Sequence, residues 1–231
     1  MVEVIDAAGL VITDRSDPQL IHATLSGGPG LNGDEQILSA LSARWEWSAV
    51  LLVRDEVAAR SLRWLRSKAK GRFNYIRLRI CDRYRITRKD IGAVDPPDGV
   101  PFGDGAHFSD GSTWSLSQPS APLVTDAAAG DETITVPASY FSGAVSAGVF
   151  FGLNDWLHQV DGWEEDGDNY VLTISPPLRE DAAVGDEADF SGRSIWQLAS
   201  DEEGGIDLSL GRSGTTQLRL IEPIGRRFDA S

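Results

Sequence analysis

Asp161-Gly-Trp-Glu-Glu-Asp-Gly-Asp-Asn-Tyr170 places five carboxylates, Asp161, Glu164, Glu165, Asp166 and Asp168, within eight positions. Two carboxylates hydrolyse a glycosidic bond when a cleft keeps one protonated and the other ionised. Neighbouring acids in a polar turn more often face water, and this run lacks the Asp, Asn and Gly spacing of a calcium-binding loop. A nucleophilic Cys81 needs a histidine beside it, but His22, His107 and His158 stand in three separate regions with no motif around them. Cys81 follows Ile80 in an apolar alternation, which reads as a structural thiol. The glycine-rich GGPGLNG, residues 27 to 33, reads as a loop and lacks the Lys-Ser or Lys-Thr that ends a phosphate-binding loop; no G-x-S-x-G elbow occurs. These residues predict neither an enzyme nor a bound cofactor or metal.

Two other sets of residues suit binding. Trp156, Trp163 and Tyr170, near His158, could stack on sugar rings, or they could fill the core of a small barrel. The second set is basic. Arg44 to Lys89 holds 14 Lys and Arg against four acids, whereas Asp90 to Ser191 holds one basic residue, Arg179, against 19 acids, in a chain of net charge −14. Arg interleaved with Trp64, Phe73 and Tyr75 could neutralise phosphates and stack on bases. However, Ile76, Leu78 and Ile80 are core-like and the chain is acidic as a whole, so no sequence-specific nucleic-acid binding is expected.

The elements that carry these residues are mostly strands. In ARWEWSAVLLVRD, Trp45, Trp47, Ala49, Leu51 and Val53 alternate with polar residues at period two. A helix starts at Asp55, with acids in its positively polarised first turn, and ends at Gly71; Val57, Leu62, Leu65 and Ala69 make its apolar stripe. YIRLRI is the strand that follows, with Arg77 and Arg79 on its basic face. Residues 92 to 122 are dense in Pro, Gly, Asp and Ser and read as a long irregular connection. Short strands bounded by Gly, Asp and Pro come next, and Ile206, Leu208 and Leu210 alternate after an EEGG turn. No internal repeat or low-complexity tract stands out. The whole predicts a mainly β protein: a β-sandwich with one α-helix from residues 1–115 and 192–231, and an inserted small β-barrel at 116–191. One cysteine allows no internal disulfide, and the absence of a leader-like start or a long apolar run predicts a cytoplasmic product without a membrane partner.

The order ARWEWSAVLLV, LRWLRSKAKGRFN, YIRLRI resembles the belt domain of distal tail proteins from siphophage tails and gene transfer agents. AGDETITV, SAGVFFGLNDWLHQV and VLTISPPLRE are similar to the small barrel, of OB or galectin-like type, in tail-tip proteins of such particles. The resemblance implies a structural baseplate protein of the virion tail tip. It implies a homo-hexameric ring joining the tail tube protein to the baseplate hub and tape-measure proteins, and it implies no active site. In such a ring Arg60, Arg63, Arg66, Lys68, Arg77 and Arg79 are the expected subunit-interface residues. A carbohydrate-binding module of a tail tip or fibre, using Trp156, Trp163 and Tyr170, is the alternative.

Overall fold

The structure, a computed structural model of the chain, describes residues 2–7, 11–12, 17–22, 24–29, 35–39, 43–80, 86, 119–141, 145–205 and 214–225. In chain order these form β1 (Val4–Asp6), β2 (Val11–Ile12), β3 (Gln19–Ile21), β4 (Thr24–Pro29), β5 (Glu35–Ser39), β6 (Arg44–Val53), α1 (Glu56–Ala69) and β7 (Tyr75–Arg79). They continue with β8 (Ser120–Pro122), β9 (Thr133–Pro137), β10 (Phe150–Leu153), β11 (Trp156–Asp166), β12 (Asn169–Ser175), β13 (Glu187–Asp189), β14 (Arg193–Leu198) and β15 (Gly214–Ile221). The protein is therefore mainly β with one α-helix among its described residues, the expected class. It divides into two compact units, Met1–Cys81 with Ile195–Ser231, and Asp82–Ser194. The expected boundary at 115/116, Cys81, His107, the alternation at 206–210 and residues 92–118 of the long connection lie outside the described residues.

The first unit is built on a seven-stranded sheet ordered β1-β7-β14-β15-β6-β2, with β3 also paired to β6. β6 and β15 run antiparallel in unbroken register from Gly214↔Val53 to Ile221↔Glu46, while β1 and β7 are parallel. Period two sends Trp45, Trp47, Ala49, Leu51 and Val53 to one face, where each is at most 3% exposed. Trp47 meets Trp196 of β14 with ring centroids 5.5 Å apart. A buried tryptophan removes roughly 200 Å² from water, so each contributes about 5 kcal/mol of gross hydrophobic stabilisation. α1 lays Ala58, Leu62, Leu65 and Ala69 into the same core. Val57, expected in that stripe, is instead on the outside, because the four buried residues already make a complete seam at spacings of four, three and four. Residues 27–29, expected in a loop, belong to β4, which pairs with β5.

The second unit is a sheet ordered β8-β13-β10-β11-β12-β9 that rolls up on itself. Val124, just past β8, donates to the Thr135 carbonyl of β9 at 2.9 Å and brings the two ends of the order together. Alternate residues of every strand meet inside: Ala121 and Leu123, Ile134 and Val136, Phe151 and Leu153, Val160, Leu172 and Ile174, Ala188 and Phe190. That convergence is the mark of a small filled barrel. Gly152 is needed where the chain passes itself, since a Cβ there would stand 2.0 Å from the Arg193 carbonyl oxygen.

A short internal repeat closes this barrel, contrary to the expectation of none. Asp126-Ala-Ala-Ala-Gly-Asp-Glu132 recurs as Asp181-Ala-Ala-Val-Gly-Asp-Glu187. The two turns grip each other reciprocally. Ala127 and Ala182 exchange backbone hydrogen bonds of 2.9 and 2.8 Å. Asp181 Oδ1 accepts from Ala129 N and Asp126 Oδ1 from Val184 N, each at 2.8 Å. Gly130 and Gly185 occupy matching left-handed positions, φ 94° and 92°. The signal was present in the sequence, but a seven-residue repeat is far below the length at which repeats define a fold.

Candidate interaction surface

The helix is anchored at both ends. Asp55 takes an extended backbone, and its Oδ1 accepts from Ala58 N at 2.7 Å, satisfying one of the donors a helix start leaves open. At the other end Lys70 adopts the left-handed conformation, φ 49°. Asn74, 2% exposed, then ties three segments together. Its Nδ2 donates to the Lys68 carbonyl at 2.7 Å, its Oδ1 accepts from Glu3 N at 3.0 Å, and its backbone N donates to the Ala69 carbonyl at 3.0 Å. Asp201 Oδ1 accepts from Arg72 N at 2.9 Å and leaves no room for a side chain at residue 71. The Gln197 side chain donates to the Arg72 carbonyl.

This anchoring presents the outer face of α1 as a fixed surface. Arg60, Arg63, Arg66 and Lys68 are exposed on it. Arg60 pairs with Glu56 one turn back, and Lys68 stands 4.0 Å from Glu3; both pairs are solvent-exposed and weak. Among the described residues no carboxylate lies within ion-pair distance of Arg63 or Arg66. The aliphatic stem of Arg66 runs beside Gly204 while its head stays in water. Val57, Trp64 and Phe73, 67%, 47% and 52% exposed, lie on or next to this face, with Val57 and Trp64 two turns apart on the helix. Arginine beside exposed tryptophan is the composition of an interface anchor.

The six basic residues expected at one interface fall into two sets. Arg77 and Arg79 alternate with the buried Ile76 and Leu78, so they leave the sheet on the side opposite the helix. Arg77 is also engaged there by Asp6, at 3.4 Å. The aromatic set is separated as well. Trp156 is 5% exposed at the turn of the β10–β11 hairpin, where it pairs with Leu153, and Tyr170 is 9% exposed in the barrel core. Trp163, half-buried, packs against that core and meets Tyr170 edge-on with centroids 5.0 Å apart. Neither Trp156 nor Tyr170 offers a ring face for a sugar to stack on. His158 is buried, with its Nδ1 2.9 Å from the Pro176 carbonyl oxygen.

The carboxylates stand at the far end of the β11–β12 hairpin, where Asp166 pairs with Asn169 across a two-residue loop, Gly167 and Asp168. Glu164, Glu165, Asp166 and Asp168 are all exposed at this tip, and among the described residues none has a cationic partner. They share a projecting tip and do not face each other across a cleft. Asp161 lies below them at a bulge and accepts from Ser175 and, at 3.2 Å, from Gln159. Among the described residues no three His, Cys, Asp or Glu side chains are grouped to hold a metal ion, and no helix is long and apolar enough to cross a membrane. A depression of about 200 Å³ lies over β3, β6 and β15, where Asp17, Gln19, Glu46, Ser48 and Arg219 mix with Trp47, Ala199, Leu220 and Ile221; no sequence pattern marked it. No protein-family model matches the chain, and no curated protein matches it.

Proposed function

We propose that the protein is a structural subunit of a phage tail tip, a distal tail protein that assembles with copies of itself into a ring between the tail tube and the baseplate hub. The outer face of α1 carries this reading: a rigidly anchored helix, buried along one seam, exposes Trp64 and Val57 among arginines. Such a face suits a protein partner, because exposed aromatic and arginine side chains supply most of the energy of typical interfaces. The segregation of charge adds support. A chain that is basic over Arg44 to Lys89 and acidic over Asp90 to Ser191 carries two complementary patches on every copy, the condition for head-to-tail contacts that close into a ring.

Light scattering at low and moderate salt, with negative-stain images of the same sample, tests the proposal. The expected species is a ring near six times 25.0 kDa that loosens as salt rises. A strict monomer at every concentration and salt overturns it.

A further inference from the structure

We infer that the outer face of α1 receives the acidic tip of the β11–β12 hairpin from a second copy of the chain; this rests on the ring reading above and names the two surfaces that meet. Four cations on α1 and four carboxylates at the hairpin tip are exposed, and most of them have no ionic partner among the described residues. Charge selects this pairing over its rivals. Packing α1 against α1 about a two-fold axis sets arginine against arginine, and packing hairpin against hairpin sets carboxylate against carboxylate; like charges brought together cost several kcal/mol in an interface. Of these three pairings only helix to hairpin is complementary. That contact joins different patches on the two copies, so it propagates head to tail and a ring is the way it closes.

Both surfaces are already ordered. α1 is capped by Asp55 and tied down by Asn74, and the hairpin turns through two residues on a filled barrel, so little conformational entropy remains to be lost on docking. Trp64 beside the arginines supplies the apolar anchor that charge alone lacks. A nucleic acid on α1 is the weaker occupant, since a chain of net charge −14 repels a polyanion as a whole.

The test is a charge swap in the full chain, read by light scattering with circular dichroism as the control for folding. Variant one carries Arg60→Glu and Arg63→Glu; variant two carries Glu164→Lys, Glu165→Lys and Asp166→Lys. Each alone is expected to weaken self-association about tenfold or more. An equimolar mixture is expected to reassemble, because each variant's helix then meets the other's hairpin. All five substitutions in one chain are expected to restore self-association, with the charges exchanged. If the wild type assembles but single variants assemble equally well, or if neither the mixture nor the five-fold variant recovers, the hairpin is not the occupant and the ring reading stands without it. A monomeric wild type overturns both.

Discussion

Asn74 is the residue whose removal is expected to loosen the helix most for its size. The Asn74→Ala substitution deletes two side-chain hydrogen bonds, 2.7 Å to the Lys68 carbonyl and 3.0 Å from Glu3 N, in a position 2% exposed. Each orphaned backbone group costs about 1–3 kcal/mol when water cannot reach it. Both bonds are only partly buried, so the lower half of that range applies, and the expected loss is about 2–4 kcal/mol. With a urea dependence near 2 kcal/mol per molar, the midpoint falls by about 1–2 M. The assay is urea unfolding followed by the helix signal in circular dichroism. Asn74→Asp keeps the acceptor for Glu3 N but turns a carboxylate oxygen toward the Lys68 carbonyl, at the negatively polarised end of α1, and is expected to be at least as damaging. An alanine variant within about 0.5 kcal/mol of wild type would refute the reasoning, since it would mean water or a local shift satisfies both groups.

Three further outcomes are expected. Gly152→Ala forces a Cβ to 2.0 Å from the Arg193 carbonyl oxygen, so the backbone must move, and thermal or urea unfolding is expected to show a loss of about 1–3 kcal/mol or more. Asp126→Ala and Asp181→Ala each remove one equivalent hydrogen bond, so their costs, about 1 kcal/mol each, are expected to agree within about 0.5 kcal/mol. Trp163→Ala is expected to cost about 2–3 kcal/mol, less than the about 3–5 of a fully buried tryptophan, with no change on a glycan array; lost glycan binding in a fully stable variant would revive the sugar-binding alternative.

The parts of this fold that were legible in sequence are those where a periodic pattern coincides with burial. Trp45 to Val53 and Ile76 to Ile80 follow period two, and Asp55 and Gly71 mark the helix within two residues of its ends. What escaped depends on distance in the chain. Val57 has the hydrophobicity of a core residue, and only the position of the sheet under Leu62 and Leu65 decides that it faces outward. Arg77 and Arg79 read as one cluster with the helix arginines because only six residues separate Lys70 from Arg77, yet the sheet stands between them. Asn74 carried no signal, because its partners Glu3 and Lys68 lie 71 and six residues away. The carboxylates beyond Asp161 read as a solvated turn, and they form the exposed end of a hairpin.

The paired turns of the barrel set an order of events on the ribosome. The first heptapeptide, Asp126 to Glu132, emerges without the groups that hold it, for Asp181 and Val184 are translated 55 residues after Asp126 and Ala129. At about 5–20 residues per second that is a wait of roughly 3–10 s, during which the apolar insides of β9, β10 and β12 have no closed barrel to enter. β15, the neighbour that covers one edge of β6, comes later still. Two open edges are therefore exposed together for seconds, and strand-to-strand mispairing between nascent chains is the hazard this topology carries. Short strands at β8 and β13 and the acidic hairpin limit that hazard, since few residues and repelling charges make poor templates for another chain.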